Sequence, residues 1–231
     1  MAYYPILMDL QDRRALVVGG GGVAERKVRT LLEFGAQVDV VSRELSPALK
    51  DLSEEGRVQW AGREFEPSHL KGAALVIAAT DDAEANRRVS AACREQGIPV
   101  NAVDQPADCT FIVPAVVRRG DLLLAVSTSG RSPALARAVR EELEARFGPE
   151  YADFLALMGS VREEVLARGR EQKENQALFQ ELVRSNLLDA VRRKDWSSAA
   201  AILTGILGTT WREADVLSRL ENDERRTQPW R

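Results

Sequence analysis

Three places in this 231-residue sequence combine residue types and spacings that can do chemistry. The first is Gly19-Gly20-Gly21-Gly22-Val23-Ala24, which follows the apolar run Ala15-Leu16-Val17-Val18. Gly19, Gly21 and Ala24 fit G-x-G-x-x-[G/A] at a strand-to-helix turn. There Gly19 permits the tight turn, Gly21 lets backbone approach a pyrophosphate, and the small Ala24 allows close helix-sheet packing. The amides opening the helix would then point at phosphates from its positive end. Dinucleotide binding is the chemistry implied, and a tight structural turn is the plain alternative. The second place is Asp104, which ends the run Ile98 to Val103. Open α/β sheets bind ligands beyond the C-terminal ends of their strands. A carboxylate there can accept a proton while a nicotinamide accepts hydride. On the residues alone, a turn aspartate ahead of Gln105-Pro106 is the simpler reading. Asn101 in the same run is either a strand residue or an amide that orients substrate. The third place is the hydroxyl-rich Ser127-Thr128-Ser129-Gly130-Arg131-Ser132, which leads into a helix N-terminus. Around it, Arg118, Arg119, Arg131, Arg137 and Arg140 stand against Asp121 alone, a charge of +4 over residues 114–140. Arginine forks and loop donors together suit an anionic small molecule with several acid groups. A solvated helix face accounts for some of these arginines, since Arg outnumbers Lys 27 to 5 in the whole chain.

The elements that must position these residues are readable from periodicity. Ala15–Val18, Gln37–Val41, Ala74–Ala78 and Val100–Val103 are β-branched-rich runs of strand length, with Val58–Ala61 a weaker one. Helical patterns lie between them at Val23–Phe34, Pro47–Glu55 and Asp82–Gln96, with Gly35 and Gly97 placed as C-caps. Such alternation specifies a doubly wound parallel α/β sheet with helices on both faces. One departure concerns the ribose. An acidic residue is expected about 20 positions after the glycine loop to hold the 2′-hydroxyl. The second strand ends instead in Ser42-Arg43-Glu44. Ser42 can bond the ribose, and Arg43 can stack on adenine or meet a 2′-phosphate, so these residues leave NAD and NADP both open. From Pro114 the pattern changes to a hairpin, Ala115–Arg119 and Leu122–Ser127, around Gly120-Asp121. Ser132-Pro133 then opens a helix whose Leu135, Val139, Leu143 and Phe147 form one apolar stripe. The remainder reads as helices with breaks at Gly169, Asn186, Gly205 and Gly208, and a polar, frayed end over Glu221–Arg231.

Composition excludes several classes. With 45% apolar and 29% charged residues the chain is globular, and its net charge of −3 is no global nucleic-acid footprint. No apolar run reaches the roughly 18–20 residues of a membrane span, and residues 1–10 do not read as a targeting signal. Two cysteines, Cys93 and Cys109, imply no disulfide framework and a reducing, cytoplasmic setting. The only histidine, His69, reads as a surface residue, and no metal-ligand cluster is visible, so no metal site is assigned. Tyr3, Tyr4 and Tyr151 are followed four positions on by Leu7, Met8 and Leu155, which removes the Tyr-x-x-x-Lys of short-chain dehydrogenases.

These pieces together resemble the precorrin-2 dehydrogenase/sirohydrochlorin ferrochelatase family, which includes the N-terminal module of siroheme synthase. The matching stretches are Tyr4-Pro5-Ile6, Val17 to Lys27, Ala78-Ala79-Thr80-Asp81-Asp82 with Asn86, Asn101 to Asp104, Phe111 to Ala115, and Ser127 to Pro133. The resemblance implies a Rossmann domain over 1–113, a dimerisation region over 114–149 and a helical domain over 150–231 that helps form the tetrapyrrole site. It implies oxidation of precorrin-2 to sirohydrochlorin by NAD, in some members followed by insertion of Fe²⁺, within a homodimer. Asp104 takes the catalytic position. Gly21, Gly22 and Val23 take the nucleotide turn, which the glycine spacing extends to Gly19; Arg43 and Glu44 take a second contact, and Thr80 a place near the cofactor. Asn101, Arg118, Ser127, Thr128, Ser129 and Arg131 are assigned to the tetrapyrrole, with no nucleic acid or membrane as partner. A non-enzymatic Rossmann nucleotide sensor is the alternative; it explains the glycine loop but leaves Asp104 and the arginines idle.

Overall fold

The structure, a computed structural model, describes residues 3–227. By contact it falls into two compact units, one running to Val113 with Ser129–Arg131 added, the other holding residues 114–128 and 132 onward.

The first unit is a five-stranded, wholly parallel sheet of β1 (Arg14–Val18), β2 (Gln37–Val41), β3 (Val58–Gly62), β4 (Leu75–Ala78) and β5 (Val100–Ala102) in the order β3-β2-β1-β4-β5. The crossovers are α1 (Gly22–Glu33), α2 (Pro47–Glu54) and α3 (Ala83–Glu95). Alternation along the strands divides the core into two layers. Ala15, Val17, Val38, Val40, Leu75 and Ile77 pack with α1 and α2 in one cluster. Leu16, Val18, Val76, Ala78, Val100 and Ala102 pack with Val89 and Cys93 of α3 in the other. Every residue of β4 is buried, as a strand covered on both faces requires. Gly35 and Gly97 take the left-handed conformation, φ 76° and 69°, just beyond the C-caps of α1 and α3. Asp39, 8% exposed, is held by Arg14 through Nε at 2.6 Å. His69 is half-buried, and its Nδ1 accepts the Glu66 amide at 3.0 Å, so it closes a short 3-10 turn.

In the second unit β6 (Ala115–Arg119) and β7 (Leu122–Val126) form the antiparallel hairpin, turning at Gly120 with φ 56°. Ala152 stands so close to Gly120 that a side chain on the glycine would press on it. The helices are α4 (Pro133–Arg146), α5 (Glu150–Ala167), α6 (Gln172–Arg184), α7 (Leu187–Arg192), α8 (Trp196–Leu207) and α9 (Glu213–Thr227). The Ser132 hydroxyl accepts the Leu135 amide at 3.2 Å and so caps α4 as its sequence requires. Leu157, Val161, Leu182, Leu187 and Leu203 are fully buried in a helical core of their own. The stripe on α4 is not buried: Leu135 is 55% exposed, Val139, Leu143 and Phe147 are half-buried, and Ala136 is the buried residue of that helix.

Two expectations are corrected. Gly205 does not break the chain, because α8 passes through it and ends at Gly208, which takes the left-handed cap with φ 68°. Glu221 onward is not frayed through its whole length, since α9 continues to Thr227; residues 228–231 lie outside the described part. Gly169 and Asn186 do separate helices.

Replacing Leu203 by Ala leaves a cavity in the helical core and should cost about 2–5 kcal/mol of stability. Urea unfolding followed by far-UV circular dichroism measures it; no change would show that Leu203 does not help hold the helical core together.

Candidate active site

The parallel sheet brings the C-terminal ends of all five strands to one edge, and the residues singled out by type stand along it. In spatial order they are Arg43 after β2, the glycine loop after β1, Thr80 after β4 and Asp104 after β5. The strand order reverses between β1 and β4, where folds of this kind bind dinucleotides.

The glycine loop is shaped by its neighbours. Gly19 has φ 130°, and a Cβ there would run into the Ala79 carbonyl. A Cβ on Gly20 would run into the Glu44 carbonyl oxygen and the Ser42 hydroxyl. Gly20 also accepts the Ser46 amide at 2.8 Å, which ties the loop to the start of α2. Gly21 and Gly22 differ: no atom lies within 4 Å of where their side chains would begin. Gly21 is the N-cap of α1 and provides no side-chain cap, so the helix opens on bare backbone beside free space. Ala24 is fully buried. This cradle fits a pyrophosphate, since the loop amides and the helix dipole favour an anion at that place. Val23 is 37% exposed at the same helix start.

Beside the loop, the C-terminal end of β2 is tied to β3. Ser42 N donates to Gly62 O at 3.0 Å, and Trp60 Nε1 donates to Ser42 O and Gly62 O, both at 3.0 Å. The register shifts between Val40 and Val41, a bulge at the strand ends that face the site. The Ser42 hydroxyl donates to Glu44 O at 2.7 Å, so it serves the turn. Arg43 reaches Glu64 Oε1 at 3.3 Å, with both side chains exposed.

On the other side, Thr80 is fixed by Asn86. The Asn86 Oδ1 accepts the Thr80 amide at 3.2 Å and hydroxyl at 2.7 Å, and its Nδ2 donates to Thr80 O at 3.1 Å. Asn86 is 1% exposed, a polar residue buried with its bonds made. Asp82 caps α3 through the Glu84 and Ala85 amides, at 2.9 and 3.1 Å. Those amides hold its carboxyl below the usual carboxylate range, Ala85 most, with smaller contributions from Arg88 and Arg43.

Asp104 is exposed and left-handed, with φ 59°, at the first turn after β5. The turn is anchored by Val103 N on Ala78 O at 2.9 Å and Gln105 N on Ala102 O at 3.2 Å. Beneath it the Cys109 Sγ accepts the Ala102 amide at 3.2 Å and meets the Ala102 and Gln105 carbonyls at 3.2 and 3.4 Å. Burial is the largest influence on this thiol and pushes it up, keeping it a donor. The Asn101 amide donates to Phe111 O at 3.0 Å and approaches Cys109 Sγ at 3.6 Å, so it secures the segment that returns under β5.

The hydroxyl-rich loop has its own order. Thr128 Oγ1 donates to Ser132 O at 3.0 Å and accepts the Ser132 amide at 3.1 Å, while Ser129 and Gly130 are left-handed at φ 53° and 79°. Arg118 Nε donates to Gly120 O at 3.2 Å, and Arg131 is exposed. Residue type alone did not single out Asn86, Cys109 or Glu64 for what they do. Only the short Thr80–Asn86 spacing ahead of a helix carried a local sign of the first.

Comparison with known proteins agrees with this geometry. An NAD(P)-binding family model matches residues 6–115, and the model for the central part of sirohaem biosynthesis proteins matches residues 119–146. A siroheme synthase of Methylobacillus flagellatus is 50% identical over 168 residues, 73% of this chain and 36% of that protein. Siroheme synthase 1 of Aeromonas salmonicida is 41% identical over 200 residues, 86% of this chain and 43% of that protein. The chain thus spans about two fifths of the length of these curated relatives. A solved structure described as SirC, precorrin-2 dehydrogenase, superposes with a TM-score of 0.71 over 90% of this chain and all of that one; at 23% identity this establishes the fold.

Replacing Asn86 by Ala strips the Thr80 amide and carbonyl of their partner and should cost about 1–3 kcal/mol. The expected readout is a lowered thermal midpoint together with weakened nicotinamide dinucleotide binding, and a midpoint equal to that of the parent would overturn the role given to Asn86.

Proposed function

We propose, from the likeness to siroheme synthases over the region these matches cover, that the chain oxidises precorrin-2 to sirohydrochlorin with NAD⁺. The observation that carries the proposal is the placing of the anion cradle and Asp104 on one sheet edge, after β1 and β5, with only β4 between them. Two strand spacings are roughly 10 Å, within the span of an extended dinucleotide lying across the edge. The cradle of Gly21 and Gly22 and the start of α1 hold the pyrophosphate. Arg43 and Glu44 border the adenosine end, and Thr80 borders the path toward β5.

When bound, the nicotinamide supplies a hydride acceptor. The oxidation removes a hydride and a proton from adjacent atoms of the macrocycle, and Asp104 takes the proton. Its exposure lets it reach a large ring, and the Cys109 sulfur beneath the turn fixes where it stands. Precorrin-2 carries eight carboxylates, and the Ser127, Thr128, Ser129 and Arg131 loop with Arg118 supplies donors and positive charge of the kind that binds such groups.

In this reading Fe²⁺ is a second substrate for the same site, with Asp104 taking pyrrole protons as the ring nitrogens receive the metal. Among the described residues no group of three His, Cys, Asp or Glu side chains stands together. A homodimer belongs to the same reading, because the exposed Leu135 and half-buried Val139 and Leu143 give α4 an apolar face for a second copy. So does a cytoplasmic setting with both cysteines free. Among the described residues no helix is long and apolar enough to cross a membrane.

Anaerobic incubation with precorrin-2 and NAD⁺, followed by absorption before and after Fe²⁺ is added, tests both steps. Asp104→Ala should lower turnover about a hundredfold or more, while the Kd for NAD⁺ measured by calorimetry stays near the parent value. Unchanged turnover rejects Asp104 as the base. Dinucleotide binding with no tetrapyrrole binding would favour the regulatory alternative.

A further inference from the structure

The end of β2 lacks the carboxylate that folds of this type place against the ribose 2′-hydroxyl. It carries Ser42, whose hydroxyl is committed to Glu44 O, and Arg43, a cation where a 2′-phosphate would be welcome. Taken alone these residues favour a phosphorylated dinucleotide. The neighbouring strand changes this. β3 pairs with β2, its bulge brings Gly62 beside Val41, and two residues further Glu64 meets Arg43 at 3.3 Å. Trp60 locks the two strand ends together by donating to Ser42 O and Gly62 O, so the pair stands on a fixed support. Asp82 is a second carboxylate within the field of Arg43, but its Oδ1 is taken by the amides of α3.

We infer that Glu64, two residues beyond β3, is the residue that selects NAD over NADP, by pairing with one guanidinium nitrogen of Arg43 and placing a negative charge where a 2′-phosphate would have to sit. This rests on the dinucleotide reading above and deepens it. The usual device, an acid at the end of β2 that binds the 2′-hydroxyl, is replaced by an acid one strand away that neutralises a cation. Both side chains are exposed, so the pair adds little to stability. Its effect falls on ligand choice, since a phosphate group carries nearly two negative charges at neutral pH.

Calorimetry on the full chain with NAD⁺ and NADP⁺ tests the assignment. The parent protein should bind NAD⁺ more tightly. Glu64→Gln should lower the ratio of the NADP⁺ to the NAD⁺ dissociation constant about five- to tenfold, the size expected from removing one charge some 4 Å from another in water. Adding Arg43→Gln should abolish that gain, and competition by 2′,5′-ADP should strengthen in the single variant only. Circular dichroism checks that each variant is folded, with Glu64→Lys as a second exposed replacement that should move the ratio further. An unchanged ratio in Glu64→Gln, or a parent that prefers NADP⁺, overturns the assignment even if precorrin-2 is turned over. Failure of the parent to bind either dinucleotide overturns it together with the cofactor reading, whereas a shifted ratio without precorrin-2 oxidation sustains it and rejects the substrate alone.

Discussion

The chain leaves β1 between the ends of β4 and β2, and it can do so only without side chains. Gly19 lies against the Ala79 carbonyl and Gly20 against the Glu44 carbonyl. A Cβ at either position would push two strand ends apart, and with them Thr80 on one side and Arg43 on the other. The next two glycines are under no such pressure; they leave the mouth of α1 open. One run of four glycines therefore meets two separate demands, close packing within the sheet and an open approach for an anion.

That crowding passes outward through short polar links. Asn86 closes the β4 end by three hydrogen bonds to Thr80, and Trp60 closes the β2–β3 end by two. The Cys109 sulfur closes the β5 end under Asp104. Each link joins residues close in sequence or on neighbouring strands, so the edge is held together although its parts come from five different strands. Sites carried on regular elements hold their geometry better than sites on free loops.

The sequence was legible where one local pattern had one local cause. The β-branched runs became β1 to β5, the caps at Ser132, Gly35 and Gly97 formed as their types require, and the glycine spacing marked its own turn. Legibility failed where partners were distant. Glu64 lies 21 residues from Arg43, and nothing near either residue announces the pair. Cys109 reads as a small apolar residue until β5 folds back over it. Gly205 looked like a break because glycine weakens a helix by about 1 kcal/mol, yet the buried neighbours Leu203 and Leu207 hold α8 through it. The apolar stripe on α4 was legible as a stripe, but Leu135 at its start stays 55% exposed.

The left-handed backbone at Asp104 narrows which residue can stand there. Glycine is at ease in that conformation but brings no functional group, and among side-chain-bearing residues asparagine and aspartate tolerate it best. Glutamate would restore the charge on a longer arm while losing that local tolerance. Under the proposed role as base, shape admits asparagine and aspartate and charge keeps only the second, so this position is constrained twice over.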